Sequence, residues 1–174
     1  TPPPAYHNLG FDLSEFYFRC AFQYQSGSYN NGVFYWSHTG AILGSVRVAA
    51  GGALQIYVGG GLVATGAASE APLASTWYLI EAHVVISDDV NVGKIEVRVE
   101  GFDSVSYAGD TKPDANTHID RLYFMDGGHG INTNWVDDIA LNDTAGGADD
   151  SWCGNGHIIA LVPNGAVSAQ WTPS

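Results

Sequence analysis

Apolar and polar positions alternate along most of the chain. Between Ser14 and Tyr24, the side chains of Phe16, Phe18, Cys20, Phe22 and Tyr24 fall on one side, and Arg19 and Gln23 on the other. A period of two is the mark of a strand with one face in a core. Residues 53–58 repeat it, with Leu54, Ile56 and Val58 set against Gln55 and Tyr57. At 77–86, Tyr78, Ile80, Ala82, Val84 and Ile86 point inward, leaving Glu81 and His83 outward. At 94–100, Ile95, Val97 and Val99 alternate with Lys94, Glu96, Arg98 and Glu100. Shorter candidates lie at 33–37, 41–49, 62–65, 104–107, 118–125, 134–141 and 157–162. Turn-forming stretches separate them, among them Asn30-Asn31-Gly32, Gly51-Gly52 and Asp126-Gly127-Gly128. About ten to twelve strands at near-regular spacing, with no helical period, predict an all-β antiparallel β-sandwich. It is expected as one domain over residues 1–174, with a short Pro-rich N-terminal arm over 1–12, since Pro2, Pro3 and Pro4 cannot donate to a ladder. Phe16, Phe18, Phe22, Ile80, Val84, Val97 and Ile139 are its expected core.

The hairpin joining 77–86 to 94–100 can be read to its register. Pairing Val84 with Ile95 sets His83 beside Glu96 and Glu81 beside Arg98, both favourable cross-strand pairs. A slip of two residues would set Glu81 against Glu100, so charge selects the first register.

Composition narrows the function. Hydrophobic residues make up 45% and charged residues only 14% of 174, which excludes a disordered chain. Six Lys and Arg face eighteen Asp and Glu, a net charge of −12. Nucleic-acid binders draw their affinity from basic residues that displace counterions, so no nucleic-acid partner is expected. Attachment to an anionic membrane is disfavoured for the same reason, and no apolar run reaches the roughly 18 residues needed to span a bilayer.

Candidate chemistry is sparse. Gly59-Gly60-Gly61 is followed by a strand pattern and not by the helix a dinucleotide site needs, so it reads as a hairpin turn. Glu96, Arg98 and Glu100 share one strand face, where a retaining glucanase would need two carboxyls about 5 Å apart. Arg98 sits between them and Glu96 already has a partner, so the face reads as exposed and charge-paired. With no nucleophile elbow, paired-His metal helix or Cys cluster, no catalytic residue is assigned and no enzyme activity is expected. Two buried free thiols are the preferred state of Cys20 and Cys153; a disulfide between them is the alternative, worth about 5 kcal/mol in a chain-entropy model. Asp137 and Asp138, with loop Asp126, are the candidate oxygen ligands for Ca²⁺, set against the preferred reading of carboxylates accepting backbone N–H groups at a sheet corner. No other cofactor is expected. The six His are scattered, and none pairs at ligand spacing. Trp36 is the candidate exposed aromatic for stacking on a sugar.

Several segments together resemble a known family. They run from the aromatic strand at 14–24 through Trp77-Tyr78-Leu79-Ile80-Glu81 and Gly93-Lys94-Ile95-Glu96-Val97-Arg98-Val99-Glu100-Gly101. Ile119-Asp120-Arg121-Leu122 follows, then Trp135-Val136-Asp137-Asp138-Ile139-Ala140-Leu141, and finally Pro163-Asn164-Gly165 and Gln170-Trp171-Thr172-Pro173-Ser174. This order resembles the concanavalin A-like (laminin-G-like jelly-roll) virion structural proteins of tailed bacteriophages. The resemblance implies a jelly roll acting as a non-catalytic structural protein on the virion surface: capsid decoration, or a head or tail fibre component. Its implied partners are further copies of itself in a symmetric homo-oligomer, and other virion proteins. The alternative is a lectin-like, carbohydrate-binding adhesion module, extracellular and directed at surface glycans.

Overall fold

The computed structural model describes residues 5–25, 31–68, 72–124, 134–144 and 151–154. All eleven elements among them are strands: β1 (Ala5–Leu13), β2 (Glu15–Tyr24), β3 (Asn31–His38), β4 (Ala41–Val48), β5 (Leu54–Val58), β6 (Gly61–Thr65), β7 (Tyr78–Val85), β8 (Lys94–Val99), β9 (Phe102–Ala108), β10 (Ile119–Phe124) and β11 (Asn134–Asp143). They form a six-stranded sheet ordered β1-β10-β3-β4-β5-β6 and a five-stranded sheet ordered β11-β2-β7-β8-β9. Every pairing is antiparallel, so the chain is an all-β sandwich. The strand expected at 157–162 lies outside the described residues.

The core forms where the inward positions of the two sheets meet. Phe16, Phe18, Cys20 and Phe22 of β2 are fully buried, as are Phe34 and Trp36 of β3. Phe18 stacks on Phe34 with ring centroids 4.3 Å apart, and Trp36 meets Phe16 edge-on at 6.3 Å. Gly44 of β4 makes room for this cluster, because a Cβ there would meet the Trp36 ring and the Tyr57 carbonyl oxygen. The β7–β8 hairpin adopts the register that charge selects, with Val84 opposite Ile95, His83 opposite Glu96 and Glu81 opposite Arg98.

Two expectations are corrected. The arm expected over 1–12 is a sheet strand from Ala5 onward, and it pairs with β10. Gly10, at φ 77, interrupts its alternation, which hides the period in the sequence. Ile139 is 48% exposed and not core. It sits in the bulge between Asp137 and Ala140 of edge strand β11, directly after Asp138 at φ 55. Instead it lines a cavity of about 470 Å³ with Leu9, Phe11, Phe124 and Leu141. Glu81 and His83 point outward as expected, and yet they are buried.

Gly44→Ala is expected to lower stability by about 1–3 kcal/mol through overpacking against Trp36. Chemical denaturation checks this, and an unchanged midpoint would contradict it.

Candidate functional site

Each sheet keeps an outer face, and the two differ in kind. On the five-stranded sheet, cross-strand rows set Arg19 beside Glu81 beside Arg98, and Tyr17 beside His83 beside Glu96. Residues 151–154 lie against these rows and close them. Tyr17 stacks on His83 at 4.0 Å, Trp152 meets both rings edge-on, and the Arg98 guanidinium sits 3.8 Å above the Trp152 ring. Glu81 accepts the Gly154 N–H at 2.7 Å, and Arg19 donates to the Gly154 carbonyl at 2.8 Å. Asn142 donates its side-chain amide to Ser151. His83 is held on one ring nitrogen by Glu15 at 2.8 Å and on the other by Glu96 at 3.0 Å. Burial opposes ionisation of Glu96, but the His83 hydrogen bond and the Lys94 charge outweigh it and hold this carboxyl below its ordinary value. Glu100 sits in the β8–β9 turn at φ 54, where it accepts the Leu79 N–H. This face is a polar structural layer whose groups answer one another.

The six-stranded sheet presents a different surface. One cross-strand row runs Tyr6–Tyr123–Tyr35–Ser45–Tyr57–Leu62 through all six strands. From Tyr6 to Tyr57 it covers four interstrand steps, about 19 Å. Flanking rows carry Asn8, Arg121 and Ser37 on one side, and Gly32, Arg47, Gln55 and Thr65 on the other. None of these positions is acidic. The Arg47 guanidinium lies over Tyr57 at 4.1 Å and Tyr35 at 5.3 Å, and its Nε donates to Ser45 Oγ at 3.0 Å. Gly32 makes this packing feasible, since a Cβ there would strike the Tyr35 ring. Arg121 lies over Tyr6 at 4.9 Å, donates from Nε to Asn8 Oδ1 at 2.6 Å and from Nη1 to the Tyr123 hydroxyl oxygen at 3.1 Å. The Tyr123 hydrogen bond, reinforced by the nearby Asp120 carboxylate, raises the Arg121 pKa above its ordinary value. Tyr57 donates to Gln55 Oε1 at 3.0 Å. Among the described residues, neither Arg47 nor Arg121 ion-pairs with a carboxylate.

The residues singled out from sequence fall elsewhere. Trp36 is fully buried in the core and offers no stacking surface. Asp137 and Asp138 lie exposed on the β11 bulge, where Asp137 Oδ1 accepts the Asp138 N–H at 2.8 Å; Asp126 lies outside the described residues. Cys20 and Cys153 are free. Cys20 points between the sheets, whereas Cys153 packs over the outer face with Sγ 3.9 Å from the Tyr17 carbonyl oxygen, so the five-stranded sheet separates them. Burial raises both thiol pKa values, that of Cys153 to about 11, which keeps them from acting as thiolates near neutral pH. The His residues are not all scattered, because the rings of His38 and His118 meet at 4.4 Å. Sequence reasoning missed the tyrosine–arginine face, although its signal was present: the outward positions of β3, β4, β5 and β10 are Tyr, Ser, Gln and Arg, while those of β7 and β8 are Glu, His, Lys and Arg.

No protein-family model and no curated protein matches the sequence. Solved structures share the fold. Alginate lyase Aly36B matches with a TM-score of 0.57 at 15% identity, over 79% of this chain and 73% of that one. The endo-β-1,4-glucuronan lyase of Trichoderma reesei matches with 0.57 at 15%, over 78% and 71%. Galectin LEC-6 of Caenorhabditis elegans matches with 0.52 at 16%, over 82% and 93%. Together they establish a jelly-roll sandwich consistent with the concanavalin A-like fold. They also correct the expectation that the chain has no enzyme activity, since two of these proteins of the same fold are polysaccharide lyases.

Glu96→Gln tests the closed face. Because the folded-state pKa of Glu96 is lowered, its contribution is fully present above the ordinary value of 4.5 and is lost as pH falls through the lowered value. The variant is expected to melt about 1–4 °C lower at neutral pH, with the gap closing as the pH falls below the ordinary carboxyl value through the lowered one. A gap independent of pH would contradict this.

Proposed function

We propose that the outer face of the six-stranded sheet binds an anionic polysaccharide, of the uronate class. The observation that carries this reading is the placement of Arg47 and Arg121. In a chain of net charge −12 they lie on tyrosine rings, in rows without an acidic residue and without a carboxylate partner among the described residues. A guanidinium flat on an aromatic ring keeps N–H groups for a carboxylate, and its planar fork suits bidentate recognition. Tyr6 and Tyr123 at one end of the row and Tyr57 at the other supply amphipathic ring surface, with Tyr35 and Ser45 buried between them. Likeness to lyases of alginate and glucuronan supports the same ligand class, and likeness to a galectin supports carbohydrate binding more broadly. The lectin-like alternative is therefore favoured over a virion coat protein, a role to which these likenesses lend nothing.

A specific pairing favours a second step on the same face. Elimination from a uronate removes the proton beside its carboxylate, forms the C4–C5 double bond and breaks the C4–O bond, so it needs a cation at the carboxylate and a group that takes that proton and passes it to the departing oxygen. Arg121 with Tyr123, and Arg47 with Tyr57, bring those two groups together.

Affinity electrophoresis and calorimetry against polymannuronate, polyglucuronate and a neutral glucan test both readings. Binding to the uronates alone is expected, weakened about tenfold or more in Arg47→Ala and Arg121→Ala. Retention by the neutral glucan with no effect of either substitution would overturn the binding reading. Release of unsaturated product, followed by its ultraviolet absorbance, is expected to fall in Tyr57→Phe or Tyr123→Phe. Its absence in the wild type would leave binding alone.

A further inference from the structure

We infer that Asp12, His38 and His118 form a binding site for a divalent transition ion of the Zn²⁺ class. The three residues come from three neighbouring strand positions, β1, the end of β3 and the residue just before β10, and their ligand atoms all lie within 4.8 Å of one another. His118 Nε2 stands 3.1 Å from Asp12 Oδ2. Two ligands with bonds of about 2.0–2.1 Å to a tetrahedral Zn²⁺ stand about 3.3 Å apart, so this edge is near the length a bound ion requires.

The surroundings act as a second layer for such an ion. His118 Nδ1 is 3.2 Å from the Thr117 hydroxyl, which orients the ring and leaves Nε2 towards Asp12. His38 Nδ1 is buried and has no hydrogen-bond partner among the described residues. A buried, unanswered ring nitrogen is costly, and coordination would answer it. The backbone is shaped to the same end. β1 advances from Asn8 to Leu13 while β10 moves only from Arg121 to Ile119, and this bulge brings Asp12 over the end of the sheet. His38 opens the tight β3–β4 turn, in which Thr39 and Gly40 both have positive φ. A β-branched residue at φ 48 is strained, and Asp120 holds it by accepting the Thr39 N–H on both carboxylate oxygens at 3.1 Å.

Two imidazoles and one carboxylate favour Zn²⁺, Ni²⁺ or Cu²⁺ over Ca²⁺ and Mg²⁺, which prefer all-oxygen shells. Three protein ligands leave one position for water or for an oxygen of a bound ligand. The ion clips edge strand β1 to β10 and β3, beside the row that carries Arg121.

Calorimetry and thermal melting of chelator-treated protein with Zn²⁺ alone test the site. One ion per chain is expected, with a rise in Tm of about 5–10 °C at a hundredfold excess over Kd, and no such rise with Ca²⁺. His118→Ala removes both effects, and the exposed, shape-preserving Asp12→Asn weakens binding at least tenfold while leaving the metal-free melt unchanged. His7→Ala, outside the cluster, leaves binding as it was. No stoichiometric Zn²⁺ binding, or binding that survives both His118→Ala and Asp12→Asn, would overturn the inference. These readouts are independent of polysaccharide binding.

Discussion

Phe18 stacks on Phe34 at 4.3 Å, and with Phe16, Phe22 and Trp36 this contact holds the two sheets face to face. The dry interior is the largest favourable contribution to folding, and every strand in it has one side committed. A sheet has two sides, however, and the core uses only one of each. The outer rows are therefore where this sandwich acquires individual character. On the five-stranded sheet they are closed by residues 151–154, whose Trp152 and Gly154 meet Tyr17, His83, Arg98, Arg19 and Glu81. On the six-stranded sheet they carry the guanidinium groups of Arg47 and Arg121 lying over tyrosine rings.

Charge distribution sharpens that contrast. The chain has only four arginines, two on each outer face. Arg98 is matched by Asp103 at 2.8 Å, and Arg19 is 8% exposed beneath Gly154. Arg47 and Arg121 instead rest on rings and on neutral oxygens. A locally cationic strip on a strongly anionic protein discourages indiscriminate contact with polyanions at long range, while retaining close-range recognition of a carboxylate that fits.

The sandwich and the β7–β8 register were legible in the sequence because both follow from local alternation and from charges on adjacent strands. What escaped depended on distant segments meeting. Glu81 and His83 look like solvated positions within their own strand, and only the arrival of Trp152 and Gly154 buries them. Trp36 looks like a loop aromatic because Ser37, His38 and Thr39 follow it, yet the absence of a side chain at Gly44 lets its indole into the core. β1 was hidden by the prolines ahead of it and by Gly10 within it. Asp12, His38 and His118 are widely separated in sequence, and the β1–β10–β3 pairing gathers them. The tyrosine row was readable in its parts but not as a line, because strand order, which the sequence does not display, places β10 between β1 and β3.

The central claim is that ligand meets the six-stranded sheet and not the five-stranded one. Chemical-shift mapping of the labelled protein with a short polyuronate tests this most directly, since both faces report at once. The account predicts perturbation at Tyr35, Arg47, Tyr57, Arg121 and Tyr123, with the arginine Nε–H signals moving most and Tyr17, His83 and Trp152 unmoved. Perturbation centred on Tyr17, His83 and Trp152, with Arg47 and Arg121 silent, would contradict it.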